Sequence, residues 1–191
     1  PQEVWKSDLK LSSKLVIGTT IHASYDGSKK SIFNANLTAD EITKLVGESK
    51  IGQKNLTEEA LEIYGVTLEG YVRMISDIRV VCPLLVLARS QENENIPFYI
   101  ASQTQGDLNL ADVDSDVLAI LGRYNSNNPA KRRYLDAIRQ LFFYFVSHGR
   151  VNHVSSLNHV LNIHEDVIPS RDYANCDFWI KNDFVPRYAA V

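Results

Sequence analysis

Lys14-Leu15-Val16-Ile17-Gly18-Thr19-Thr20 is a short apolar run, rich in β-branched side chains and ending beside a glycine. Such a run is typical of a buried β-strand, since a half-exposed strand would alternate apolar and polar residues. A second run of this kind, Pro97-Phe98-Tyr99-Ile100-Ala101-Ser102-Gln103, lies between a polar segment and Gly106. The sequence therefore predicts two strands of a buried, parallel-type sheet.

Helical patterns occupy most of the chain outside these two runs. Thr38-Ala39-Asp40-Glu41 fits a capping box, in which the Thr side chain accepts from a backbone N–H and the Glu side chain returns a bond. Residues 129–148 place a broad apolar stripe on one helical face and stop at Gly149, which predicts the longest helix. Helices are also predicted over residues 55–64, over residues 68–89 with a kink or a new start at Pro83, and over residues 113–121.

The balance of strands and helices indicates an incomplete α/β domain. Two strands cannot form the covered sheet that five or six amphipathic helices require. We therefore expect residues 1–191 to be the C-terminal part of a single α/β domain, completed by an N-terminal portion on another polypeptide or outside this sequence. The chain opens with Pro1 and not with an initiator Met, as if it had been cut from a longer protein.

The composition is that of a globular domain. Hydrophobic residues make up 45% of the 191 residues, charged residues make up 23%, and the net charge is -3 at pH 7. No glycine-rich or basic stretch points to phosphate or nucleic-acid binding, and Lys131-Arg132-Arg133 is interpreted as a solvated helix face. The longest apolar run, residues 80–88, is far shorter than the ~20 residues of a membrane-spanning helix. We therefore expect no nucleic-acid partner and no direct membrane span in this chain.

Two glycosylation sequons favour an extracellular protein. Asn36-Leu37-Thr38 and Asn55-Leu56-Thr57 are N-x-T glycosylation sequons, and both lie at polar segment boundaries where a glycan fits. Cys82 and Cys176 are the two cysteines of the chain. By themselves, these cysteines are compatible either with a disulfide or with two buried thiols.

Short motifs, in the same order along nearly the whole chain, resemble the C-terminal part of the carboxylesterase and cholinesterase family of α/β hydrolases. Residues 14–18 resemble the strand before the family's Gly-x-x-x-Asp-Glu-Gly turn, and residues 76–84 are similar to its Asp-x-x-x-x-Cys-Pro segment. Residues 98–103 and 113–122 resemble the strand and the His-Gly-x-Glu-x-x-x-Val-Phe-Gly segment around the catalytic histidine. Residues 133–145 with Gly149 resemble the last large helix, and residues 176–179 match Cys-x-Phe-Trp.

The resemblance implies an α/β-hydrolase fold, to which this chain contributes the last strands of the mixed sheet and their flanking helices. It also implies a disulfide between Cys82 and Cys176, because these residues stand at the cysteines of the Cys-Pro and Cys-x-Phe-Trp motifs. Within this superfamily, residues 110–116, 132–135 and 142–144 look most like a non-enzymatic adhesion member.

The acid position that the resemblance implies is degenerate. Serine hydrolysis of this kind needs a Ser on a Gly-x-Ser-x-Gly elbow, a His that takes its proton, and a carboxylate that orients the His. The elbow would lie upstream of Pro1. Alignment on Gly18 places Ala23 where the family has its catalytic Glu, although Asp26 nearby is a conceivable substitute.

The base position is degenerate as well. Alignment on Gly122 places Val113 where the family has its His, and a shift of one residue in either direction offers only Asp112 or Asp114. No histidine occurs between Ala23 and Ser147, so this loss does not depend on the alignment.

The five histidines suggest no metal site. His153, His159 and His164 lack the i, i+4 spacing of a helical metal pair, so neither a metal nor another cofactor is expected. His148 is interpreted as a surface residue at a helix end. His22, where the acid loop opens, is interpreted as a solvated loop residue.

Together, these features predict a catalytically inactive cholinesterase-like ectodomain that serves cell adhesion or protein recognition. Its expected location is extracellular or at the cell surface, as the ectodomain of a membrane-anchored protein. The expected partners are the N-terminal portion of the same hydrolase domain and a cell-surface or secreted protein ligand, such as an immunoglobulin-type protein. The alternatives are an active secreted carboxylesterase with displaced catalytic groups, and a storage or matrix glycoprotein.

Overall fold

The centre of the molecule is a four-stranded mixed sheet, seen in a computed structural model that describes residues 15–25, 36–89, 96–104, 110–124, 126–151, 160–170 and 173–185. The strands are β1 (Ile17–Thr20), β2 (Phe98–Ala101), β3 (Val160–Ile163) and β4 (Val167–Ser170), and their spatial order follows the sequence. The first three strands are parallel, whereas β4 runs antiparallel to β3. With its flanking helices, this sheet is compatible with a partial α/β fold.

Helices cover both faces of the sheet. They are α1 (Ala39–Glu48), α2 (Lys50–Gln53), α3 (Thr57–Tyr64), α4 (Leu68–Ser76), α5 (Cys82–Arg89), α6 (Ser115–Ile120), α7 (Pro129–His148) and α8 (Asn175–Lys181). Among the described residues, no helix combines the length and the apolar character that crossing a bilayer requires.

A π-helical turn, Asp77–Val81, joins α4 to α5 without a break. The ring of a proline inside a helix crowds the carbonyl four residues earlier, and that carbonyl belongs here to Arg79 in the π turn. The wide turn gives the chain room for Pro83. The kink or new start predicted at this proline therefore takes the form of a π turn.

The two best helix signals in the sequence are confirmed. α7 has the predicted bounds: the Asn128 side chain accepts the N–H of Ala130 at 2.9 Å, Pro129 occupies the first turn, and Gly149 ends the helix at φ 67°. The capping box between Thr38 and Glu41 is formed at the start of α1.

Two strands of this sheet were missed by the sequence prediction. β3 and β4 form a hairpin beside β2, so the expectation that the chain contributes only two strands was wrong. Each of these strands has four residues, β3 contains the polar Asn162, and β4 contains Pro169. A four-residue segment that contains a polar residue or a proline shows too little periodicity to be distinguished from a loop by its sequence.

The sheet separates two apolar clusters. β2 directs Phe98 and Ile100 toward a cluster built from α1–α5 and α8, which surrounds the fully buried Trp179. It directs Tyr99 and Ala101 toward the opposite cluster, which α6 and α7 cover. All four residues of β2 are buried, as expected for a central parallel strand with both faces covered.

Candidate functional site

The carboxyl ends of β1 and β2 lie side by side at one edge of the sheet. Residues 21–25 follow β1, and residues 110–114 lead into α6 after β2. In open α/β sheets, loops at this edge carry the binding and catalytic groups. Ala23 and Val113, the acid and base positions that the resemblance implies, belong to these two segments.

A backbone hydrogen bond joins the two segments. The Val113 N–H donates to the Tyr25 carbonyl at 2.8 Å, so the segments that contain the predicted acid and base positions lie against each other. The side chains at these positions are a buried methyl at Ala23 and an exposed isopropyl group at Val113. The Ala23 methyl cannot orient an imidazole, and the Val113 side chain cannot take up a proton. Asp26, the conceivable substitute acid, lies outside the described residues.

The segment after β1 is also fixed to α4. The Ser24 N–H donates to Ser76 Oγ at 3.0 Å, and the Ser76 hydroxyl in turn donates to the Val72 carbonyl at 2.7 Å. Tyr25 and Leu110 pack with Val72 in a small buried cluster. Apolar side chains therefore occupy the space between the two segments and α4.

His22 is buried, which corrects the interpretation of a solvated loop residue. Its side chain is 2% exposed, and its Nδ1 accepts the Ala111 N–H at 2.9 Å. Burial, and after it the charge of Arg73, lowers the His22 pKa to about 4. The imidazole is therefore neutral at pH 7. Because Nδ1 accepts a hydrogen bond, the single ring proton is on Nε2.

Polar atoms without a partner gather at this edge. Thr20 Oγ1, His22 Nε2 and Gln103 Oε1 are buried and have no hydrogen-bond partner among the described residues. A buried polar group that stays unpaired costs about 1–3 kcal/mol. Sequence reasoning missed Thr20 and Gln103, because a Thr or a Gln beside a strand end carries no distinguishing signal.

Tyr99 links β2 to α6 across β1. Its hydroxyl donates to Asp116 Oδ2 at 2.7 Å. The ring lies directly over Gly18, where a Cβ atom would come within 2.0 Å of Tyr99 Cε1. Burial raises the pKa of Asp116, and the bond from Tyr99 opposes this effect. α6 is thereby held over β1.

A second buried polar cluster centres on Asp77 in the π turn. Its carboxylate accepts from Tyr64 Oη at 2.6 Å, from Tyr173 Oη at 3.0 Å and from Asn175 Nδ2 at 3.3 Å. Burial raises the Asp77 pKa to about 6, although these bonds act in the opposite direction. The cluster lies on the side of the sheet that α8 covers, and the sequence patterns did not reveal it.

The structure also describes the two cysteines, the two sequon asparagines and His148. Cys82 and Cys176 are bonded to each other and join the first turns of α5 and α8. The sequon residues Asn36 and Asn55 are exposed, so glycosylation at both stays a prediction. His148 is exposed at the end of α7.

No group of three or more His, Cys, Asp or Glu side chains in the described ranges is arranged to hold a metal ion. His153 and His159 lie outside those ranges.

The chain is similar to neurotactin of Drosophila melanogaster, with 41% identity over 193 aligned positions that cover the whole chain. It spans 22% of the length of that protein. The similarity confirms the resemblance that the motifs indicated. No protein-family model matches the chain.

Proposed function

We propose that this chain is the C-terminal part of a cholinesterase-like domain that has lost catalysis and serves cell adhesion or protein recognition. Two findings support the proposal: similarity to neurotactin along the whole chain, and the motif resemblance to a non-enzymatic adhesion member of the cholinesterase superfamily. The observation that carries the loss of catalysis is the protonation state of His22.

His22 is the imidazole nearest in sequence to the acid position, and it is in the wrong state for a general base. A base needs a ring nitrogen with a free lone pair within reach of the nucleophile. In His22 the Nδ1 lone pair accepts the Ala111 N–H, and Nε2 carries the ring proton. Val113 supplies no replacement. Without its base, a serine hydrolase keeps only the roughly 10³–10⁴-fold acceleration over water that substrate binding and the oxyanion hole provide.

The proposed location is the extracellular face of a membrane. The Cys82–Cys176 disulfide supports it, since disulfides persist in oxidising compartments. The two exposed sequons at Asn36 and Asn55 support it as well. The proposed partners are the remainder of the same domain and a cell-surface or secreted protein, with immunoglobulin-type proteins as the first candidates to test.

The complete ectodomain tests the proposal in two assays. Hydrolysis of short-chain esters and labelling by a fluorescent organophosphate should both be absent, with an active carboxylesterase as the positive control. Beads coated with the ectodomain should bind cells, and charge reversal on an outer face should weaken this binding. Stoichiometric labelling together with ester turnover would overturn the proposal in favour of a carboxylesterase, and beads that bind no cells would favour a storage or matrix protein.

A further inference from the structure

An open cleft lies between the first turns of α7 and the segment that follows α6. Its volume is about 540 Å³, and its lining combines charged, amide, hydroxyl and apolar side chains: Ser126, Asn127, Arg132, Leu135, Asp136 and Arg139. No described residue of the segments 21–25 and 110–114 lines it. The cleft is therefore separate from the site that contains the predicted acid and base positions.

Backbone carbonyls hold both arginines of the cleft in place. Arg132 Nε donates to the Ser126 carbonyl at 3.2 Å. Arg139 donates to the Ala119 carbonyl at 2.9 Å and to the Tyr124 carbonyl at 3.1 Å. Neither guanidinium forms an ion pair with a carboxylate of the described residues. Their remaining N–H groups suit a planar carboxylate, and donors that are already fixed lose little freedom when a ligand binds.

The other lining residues suit the neutral part of a sugar. Asp136 and Asn127 are exposed in the cleft, where they offer a carboxylate that accepts and an amide that both accepts and donates. Leu135 adds the apolar surface that the C–H groups of a sugar ring contact. Asp136 would repel a second acidic group, but it would bind a hydroxyl. A polyhydroxylated acid therefore fits the cleft better than an acidic peptide does.

An exposed aromatic ring continues the cleft along α7. Residues 132, 136, 139 and 143 are spaced by three or four positions, so they lie on one face of the helix. Phe143 is 73% exposed. It lies one turn, about 6 Å, beyond Arg139 along the helix axis. The C–H groups on one face of a sugar carry a partial positive charge, which suits the negative face of an aromatic ring. Phe143 is thus placed to contact a sugar next to one held in the cleft.

We propose that this cleft binds a carboxylate-bearing sugar of an extracellular glycan, and that Phe143 stacks on the neighbouring sugar of the same glycan. Arg132 and Arg139 hold the carboxylate, while Asp136 and Asn127 hold hydroxyl groups. The uronic acids of glycosaminoglycans and the sialic acids of glycoproteins share this chemistry. The inference goes beyond the proposed function, since it rests on the cleft and not on the loss of catalysis or on a protein ligand.

Saturation-transfer NMR on the complete protein tests the proposal with two probes that carry a carboxylate and no sulfate. They are a hyaluronan tetrasaccharide and sialyllactose. At least one of them should bind, and its carboxyl-reduced form should not. Binding of hyaluronan alone would assign the uronic acids as the source, and binding of sialyllactose alone would assign the sialic acids. Binding of neither probe would overturn the proposal, as would equal binding of the carboxyl-reduced form.

Matched arginine variants locate the binding. Arg132→Gln should weaken binding about tenfold, because it removes charged donors to the carboxylate. Arg133→Gln removes the same charge from the next residue, which is paired with Glu165, and should leave the affinity unchanged. Arg132→Lys keeps the charge but not the planar fork, so it should weaken binding too, and melting temperatures check that all variants fold. Equal losses in Arg132→Gln and Arg133→Gln would indicate general attraction to a basic helix and would overturn the proposal.

Phe143 variants test the second contact. Phe143→Ala should weaken binding of the longer probe about fivefold, whereas Phe143→Tyr should keep the affinity, because its ring still stacks. Equal affinities for Phe143→Ala and the wild type would show that the aromatic ring takes no part.

Competition with a glutamate-rich peptide separates a glycan from an acidic segment of a protein. The peptide should not displace the bound sugar. Displacement at similar concentrations would assign the cleft to an acidic protein ligand and would overturn the proposal. If no sugar probe binds and coated beads still bind cells, the glycan proposal fails alone. If a probe binds and the beads bind no cells, the proposed function fails alone.

Discussion

At the scale of single residues, Gly18 permits the contact on which the position of α6 depends. The Tyr99 ring occupies the space that a side chain at residue 18 would need, with only 2.0 Å to Tyr99 Cε1. Gly18→Ala should therefore displace Tyr99 and break its bond to Asp116. We expect a loss of about 1–3 kcal/mol in the free energy of unfolding, the usual cost of overpacking. Chemical denaturation of the complete protein measures this loss.

Tyr99→Leu provides the control for Gly18→Ala. Tyr99→Leu removes the obstructing ring. Gly18→Ala should therefore cost much less stability in a Tyr99→Leu background than in the wild type. If Gly18→Ala costs the same in both backgrounds, the steric explanation is wrong.

His22 should make stability depend on pH in one direction. Its pKa is about 4 in the folded protein against an ordinary 6.5, so the unfolded chain binds the proton more readily between these values. This contribution to the free energy of unfolding is complete above pH 6.5 and is lost as the pH falls toward 4. His22→Asn keeps an acceptor for the Ala111 N–H but does not titrate. Urea unfolding at pH 7 and pH 4.5 should show a smaller decrease for this variant, and equal decreases would contradict the assignment.

The state of His22 illustrates what the sequence leaves open at this scale. The sequence places an imidazole one residue before the acid position, and the default for such a loop residue is solvent exposure. Its environment depends on residues far away in the chain: Ala111 donates the hydrogen bond to its ring, and the charge of Arg73 adds to the effect of burial on its pKa. Ala23 and Val113 were easier to identify, because a missing functional group is visible in the sequence itself.

At the scale of elements, α8 is fastened to the π turn through Asp77. The pKa of this buried carboxyl is about 6 against an ordinary 3.8, so the folded protein binds the proton more readily between these values. The Asp77 contribution to the free energy of unfolding should therefore decrease as the pH rises from 3.8 to 6, opposite to that of His22. Asp77→Asn should remove this decrease, which denaturation at pH 4 and pH 6.5 would show. A variant with the wild-type difference would refute the prediction.

The disulfide fastens α8 a second time. It closes a loop with a sequence separation of 94 residues, for which the loop-entropy model gives about 4–5 kcal/mol. The double variant Cys82→Ala/Cys176→Ala should lose stability of this order in denaturant unfolding. Reduction of the wild type should bring it to the same stability as the variant. Alkylation of both cysteines in native protein without prior reduction would show that the bond does not form.

Predictability differed among elements for physical reasons. α7 has a cap, a first-turn proline, a long apolar face and a terminal glycine, all of which are local signals. β3 becomes a strand only because β2 lies beside it, and no local pattern in its four residues announces this. The strand count was therefore too low, although the mixture of buried strands and amphipathic helices was predicted correctly.

At the scale of the whole molecule, the exposed sequons define surface that should stay free of domain contacts. Asn36 and Asn55 are both exposed near the helices of the α1–α3 region, away from α6 in the sequence. Protein secreted from eukaryotic cells should carry a glycan at each site, and mass spectrometry after enzymatic deglycosylation should show two modified positions. Asn36→Gln and Asn55→Gln should each remove one glycan. Unmodified wild-type protein would contradict the proposed extracellular location.

The π turn also sets the directions in which the side chains of α4 and α5 point relative to each other. In a regular α-helix, side chains five positions apart point about 140° away from each other. Asp77 and Cys82 have this spacing, yet both reach α8, one through Asn175 and the other through Cys176. The wider turn between them rotates the two onto a common side. The number of residues in this segment therefore cannot change. A deletion that restored a regular α-helix would turn either the Asp77 carboxylate or the Cys82 sulfur away from α8.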